Sequence, residues 1–203
     1  MTKRSYVSEV RAAAAAETRQ RVIDAAQRLL REDSIAGFSL DTVAKAARVT
    51  RLTVYNQFGS RRGLLEAAFD DIALSGGLPR LAQVMTNPDG RKAVTELVEV
   101  FCAFWSSDPA VAALHDAMAI DGEFARALRE RNERRRANLT VLVDRIAGGR
   151  ATKRSRTDAI DLMYSLTSCA TYRSLSEGRS NAAVASILKA ACGDALDRLL
   201  DQT

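Results

Sequence analysis

Arg51, Thr53, Tyr55, Asn56 and Gln57 fall within seven residues of one another, inside the stretch SLDTVAKAARVTRLTVYNQFGSRRGLL that runs from Ser39 to Leu65. Each of these side chains can hydrogen-bond a base edge or a phosphate oxygen, so the chemistry on offer is recognition rather than bond-making. From Thr42 to Leu65 there are five basic residues (Lys45, Arg48, Arg51, Arg61 and Arg62) and no acidic one. Over the first 75 residues 12 Lys/Arg stand against 9 Asp/Glu, a net of only +3, so the positive charge is local. A local basic cluster suits a phosphate backbone. The rival reading is a solvated basic face on an ordinary helical domain.

The elements that must position these residues follow from caps and periodicity. Ser39 is a good N-cap, and Leu40, Val43, Ala44 and Ala47 then recur at helical spacing. Thr50 caps a second helix only three residues after Ala47, so the two helices must cross sharply. This is a helix-turn-helix, whose second helix enters the major groove of DNA. A preceding helix over Glu17–Arg31 carries the stripe Val22, Ile23, Ala26, Leu29 and Leu30. Ser60 opens a fourth, through Leu64, Leu65, Ala68, Phe69 and Ile72. Residues 1–16 read as a partly ordered arm or a frayed tail, with Lys3, Arg4 and Arg11 available for phosphates or a minor groove. Gly76-Gly77 interrupts the pattern and divides a DNA-binding domain, 1–75, from a second domain, 76–203.

The whole chain reads as all-α. It has 203 residues, 47% of them apolar with Ala and Leu prominent, and only 3 Pro. Beyond Gly77 the pattern predicts a short helix at Leu78–Met85 and a strong one at Arg91–Ser106. A third starts at Asp108-Pro109 and stops at Gly122, and further helices span Glu123–Ala147, Ser155–Glu177 and Ser180–Leu200. The charged run RERNERRR, Arg129–Arg136, reads as a solvated face with i,i+4 pairs. Val184, Leu188, Ala191, Ala195, Leu196 and Leu199 form a wide apolar stripe on the last helix. Burial within its own domain would explain such a stripe. Pairing with the same helices of a second subunit would too, and would give the homodimer that two-fold DNA reading needs.

Other classes find little support. A single histidine, His115, excludes multi-histidine metal sites within one chain, and no cysteine pair has ligand spacing. No catalytic residues, metal or cofactor are therefore expected. There is no run of about 18 apolar residues, and the N-terminus lacks the apolar core of a signal peptide. The expectation is a cytoplasmic protein with no membrane partner. Cys102, Cys169 and Cys192 read as reduced core residues.

The stretch from Ser39 to Leu65 resembles the N-terminal domain of the TetR/AcrR family of bacterial transcriptional regulators. The resemblance rests on Ser39, Val43-Ala44, Val49-Thr50, Thr53, Tyr55, Phe58, Ser60, Arg61 and Leu64-Leu65. With the helix from Glu17 it covers about 55 residues of the chain. Arg48 departs from it, standing where the family's turn usually carries Gly; if that position needs positive φ, the substitution costs roughly 1 kcal/mol. The resemblance implies that Tyr55, Gln57 and Arg61 contact phosphates, and that Thr50, Arg51, Thr53 and Asn56 face or flank the groove. Ser39, Lys45 and Arg48 complete the candidate DNA-binding set. Arg51 is the candidate for direct reading, because a guanidinium can bond both acceptors of guanine; a phosphate contact is the alternative. Val54 and Phe58 are assigned to the core, while Leu52 is divided between core packing and a methyl contact.

The resemblance also implies a small-molecule pocket in the second domain. Phe101, Phe104, Trp105, His115, Met118, Phe124, Met163, Tyr164 and Tyr172 are its candidates, plain core packing being the alternative for each. The expected function is a homodimeric repressor on a palindromic double-stranded DNA operator, released by a small, largely apolar effector. The alternative is a ligand-independent or architectural DNA-binding dimer.

Overall fold

Ser39, Thr50 and Ser60 each do what their position predicts, accepting the backbone N–H of Thr42, Thr53 and Gly63 at 3.1, 3.1 and 3.0 Å. In the computed structural model, residues 3–32, 35–118 and 121–201 are described, and every regular element among them is helical. In chain order these are α1 (Lys3–Glu32), a 3-10 turn (Ile35–Gly37), α2 (Leu40–Ala47), α3 (Arg51–Phe58) and α4 (Arg61–Ser75). A second 3-10 turn (Leu78–Arg80) leads into α5 (Leu81–Thr86), α6 (Gly90–Ser107), α7 (Ala110–Ala117) and α8 (Gly122–Ala147). The chain ends with α9 (Lys153–Leu166), α10 (Cys169–Ser176) and α11 (Asn181–Asp201).

Three helices differ from the expectation. The expected arm is helix: α1 begins at Lys3 rather than near Glu17. The five alanines Ala12–Ala16 have the highest helix propensity of any residue and carry the helix without packing, as Glu9–Glu17 is exposed throughout. The side chains of Lys3 and Arg4 lie outside the described residues. α7 ends at Ala117, short of Gly122, and Asp121 instead caps α8 by accepting from the Phe124 N–H at 2.8 Å. The helix expected over Ser155–Glu177 is two. Thr167 bonds back to the Met163 carbonyl at 2.8 Å, and Ser168 then caps α10 through the Thr171 N–H at 3.1 Å.

The chain forms two compact units. The first runs to Asp71 and takes in Pro109–Ala125; the second holds Ile72–Asp108 and the chain from Arg126. In the first, α1 packs on α2 and α7. Its core is Val22, Ala26, Val43, Ala44, Val54, Leu64, Leu65 and Ala68, each 3% exposed or less. Burying each large aliphatic side chain contributes about 1.5–3 kcal/mol before the entropy of ordering is counted. In the second unit α11 packs on α6 and α9.

Candidate nucleic-acid interface

The crossing of α2 and α3 turns on one residue. Arg48 closes α2 at φ 56°, ψ 44°, with its N–H returned to the Ala44 and Lys45 carbonyls, and is the one non-glycine at positive φ among the described residues. The Val49 N–H bonds the Ala44 carbonyl at 3.0 Å, so the helix ends with its last carbonyls satisfied. The position does take positive φ, where the resembling family's turn usually carries Gly, and the arginine bears the strain. Lys45 and Arg48 are both exposed.

α3 then sorts its eight residues by face. Val54 is fully buried and Phe58 nearly so, whereas Arg51, Leu52, Tyr55 and Asn56 point outward at i, i+1, i+4 and i+5. Leu52 is 65% exposed and Tyr55 55%, and with Arg51 they line a shallow depression on the helix surface. Leu52 is thereby assigned to the outer face. Thr50 is exposed and Thr53 half-buried, and their hydroxyls lie 2.8 Å apart at the helix start. Gln57 is half-buried, with its Oε1 shielded from solvent.

Several partners that sequence reading missed hold this face in place. Asp41 on α2 lies 3.3 Å from the Arg51 Nε, both side chains being exposed, so the pair orients the guanidinium while contributing little to stability. Arg19 on α1 donates to the Gln57 carbonyl at 3.1 Å and lies 4.5 Å over the Phe58 ring. Both are exposed charges, Asp41 ten residues before its partner and Arg19 38 residues before Gln57, and periodicity does not pair them.

Arg61, expected at a phosphate, is engaged within its own unit. Its guanidinium donates to the Phe38 carbonyl (3.0 Å), the Ile35 carbonyl (3.4 Å) and Asp121 (3.2 Å), and sits over the Phe38 ring. With three acceptors of its own unit engaged, Arg61 braces the start of α4. Gly63, one turn in, explains how close that start lies to α3: a Cβ there would come within 2.1 Å of the Phe58 carbonyl oxygen. Ser39 is half-buried, its hydroxyl shared with Thr42 in a capping box.

The other candidate residues are placed as follows. Phe101, Phe104, Trp105, Met163 and Tyr172 are buried in the second unit and Tyr164 is half-buried there. Phe101 and Phe104 lie 5.8 and 4.7 Å from Trp105, centroid to centroid. His115 and Met118, both half-buried, and the buried Phe124 belong to the first unit. Val184, Leu188, Ala195, Leu196 and Leu199 are each 3% exposed or less in a single chain, so this stripe is the face that α11 turns inward. Ala191 is half-buried at its margin. All three cysteines are free and buried, and burial pushes the Cys102 thiol up to about 11 and that of Cys192 to about 12.

Residues 22–68 match the family model of the bacterial regulatory proteins, tetR family. That segment, from the second half of α1 into α4, is the family's DNA-binding domain. The fold extends the likeness over both units. A TetR transcription regulator from Haloarcula marismortui ATCC 43049 superposes with a TM-score of 0.70 at 14% identity, covering 91% of this chain and 98% of that one. A TetR/AcrR-family regulator from Thermobifida fusca YX-ER1 gives 0.64 at 21%, covering 89% and 97%. The multidrug binding protein EbrR, solved with imidazole, gives 0.57 at 22%, covering 86% and 89%. No curated protein matches the chain. Among the described residues no single helix is long and apolar enough to cross a membrane.

Proposed function

We propose that this chain is a TetR-family repressor that binds a two-fold symmetric operator as a homodimer and is released by a small molecule taken up in the second unit. The observation that carries the DNA half of this reading is the outer face of α3. Arg51, Leu52, Tyr55 and Asn56 stand together on a helix whose opposite face is anchored by Val54 and Phe58. Arg51 and Asn56 are suited to guanine and adenine edges, Leu52 to a thymine methyl, and Tyr55, Thr50, Lys45 and Arg48 to the flanking phosphates.

The dimer half rests on what α9 and α11 leave uncovered. Leu162 and Ile187 are 38% and 42% exposed, and a groove of about 230 Å³ runs between the two helices past Asp158, Leu162 and Arg198. Its opposite charges are self-complementary under two-fold rotation. The effector half is supported by the aromatic cluster about Trp105 and by the fold shared with EbrR. A footprint on DNA upstream of the chain's own gene, with and without candidate compounds, tests the reading. Two protected half-sites of inverted sequence, lost on adding an effector, are expected; protection without sequence preference would overturn it.

A further inference from the structure

Arg135 stands in the charged run expected to be solvated, yet it is only 4% exposed. The helical repeat explains the correction: Arg135 lies seven residues after Leu128 and four before Leu139, both fully buried, so it falls on the inward stripe of α8. Its guanidinium sits 4.3 Å from the centroid of the Tyr164 ring and 5.6 Å from that of Phe101. Nη1 donates to the Thr167 hydroxyl at 3.3 Å, and Nε is buried with no hydrogen-bond partner.

What this guanidinium lacks is an anion. Among the described residues no carboxylate lies within ion-pair distance of it. The neighbouring Asp161 and Glu133 are both taken by Arg136, which is itself stacked on Tyr164 at 4.2 Å. Burial pulls the Arg135 pKa below the usual guanidinium range; the groups acting the other way are Tyr164 and Cys169, and Arg136 adds charge of the same sign. A buried charge without a counter-ion is among the costliest features a core can carry. Aromatic faces and one hydroxyl offset only part of that cost.

We propose that Arg135 anchors a singly charged organic anion, a carboxylate carried on an aromatic or acyl body, bound beside Phe101, Trp105 and Tyr164. The charge count selects the class, since one guanidinium neutralises one carboxylate, while a phosphate monoester would bring surplus charge into an apolar surround. The rings select the body: those of Tyr164 and Phe101 lie against the guanidinium, and Trp105 is stacked on Phe101. Tyr164 is the least buried of these rings and so the one nearest to solvent. Thr167 supplies a reporter: its hydroxyl accepts from Arg135, its carbonyl accepts from the Trp105 indole N–H at 3.0 Å, and it sits at the break between α9 and α10. An anion that repositions Arg135 therefore changes the surroundings of the chain's one tryptophan.

This inference rests on the reading that the second unit takes up a small molecule, and the test separates the two. Trp105 emission and the melting temperature of the full chain are followed with benzoate and octanoate, and with benzamide and octanamide as uncharged controls. At least one carboxylate should shift the emission and raise Tm where its amide does not, and Arg135→Met should weaken that carboxylate about tenfold or more. Without ligand, Arg135→Met should melt no lower than wild type, because it removes an uncompensated charge. A lower melting temperature for Arg135→Met, carboxylate binding that survives the substitution, amides bound as well as acids, or no response to either acid would each overturn the proposal. DNA binding is read in parallel. Release by the amides alone would leave the effector reading standing without the anion site. Carboxylate binding through Arg135 with the DNA retained would keep the site and defeat the effector reading.

Discussion

Arg51 and Arg48 sit three residues apart and face opposite demands. Arg51 is free to reach a base once it leaves Asp41, and that exposed pair costs little to break. Arg51→Ala should relax base preference at one position per half-site and cost on the order of 1–3 kcal/mol in operator affinity, measured by titration against sites differing at that position. Arg48 holds a left-handed conformation that glycine adopts without strain. Arg48→Gly should therefore raise unfolding free energy by about 1 kcal/mol in urea titrations, with operator affinity falling through the lost charge. The strain at Arg48 could be anticipated only through the resemblance, whose turn usually carries glycine at this position. The inward course of Arg61 was not legible in the sequence, because its acceptors, Phe38, Ile35 and Asp121, come from segments 23 to 60 residues away. Arg135 was hidden by the seven other polar or charged residues of its run, although its register with Leu128 and Leu139 was there to be read.

At the scale of elements, the caps Ser39, Thr50 and Ser60 were readable because each satisfies a local backbone donor; Ser168 does the same for α10, but the apolar pattern from α9 runs on through the break and conceals it. The α11 stripe shows the same limit: periodicity names the apolar face without saying what covers it. Here α6 and α9 cover it, which separates two substitutions one residue apart. Leu188→Asp should unfold the second unit, at a cost of several kcal/mol, seen as a lost or much lowered melting transition. Ile187→Asp should leave the melt of the fold nearly intact and yield monomers by ultracentrifugation, with operator binding reduced. The junction of α3 and α4 has its own probe in Gly63→Ala. A methyl placed 2.1 Å from the Phe58 carbonyl forces the two helices apart, and a loss of about 1–3 kcal/mol in stability is expected, together with weaker DNA binding.

Over the whole molecule, a net charge of +5 does less than its concentration between Lys45 and Arg62, where a phosphate backbone would run. Stability has its own pH signature in the buried thiols. Their ordinary pKa is 9.0, and burial raises it to about 11 for Cys102 and about 12 for Cys192, so above pH 9 the unfolded chain loses protons that the folded chain keeps. The contribution is complete below pH 9 and lost as the pH climbs toward 11–12. The stability difference between wild type and Cys192→Ala should shift against wild type from pH 8 to pH 10 in matched urea titrations. The central claim is that α3 reads a sequence and that two copies read it together. Selection from random double-stranded DNA with the purified chain tests it most directly. The account predicts an enriched motif of two inverted half-sites whose centres lie about 34 Å, or a multiple of that, apart along the helix axis. Enrichment of no motif, or of a single unpaired half-site, would contradict it.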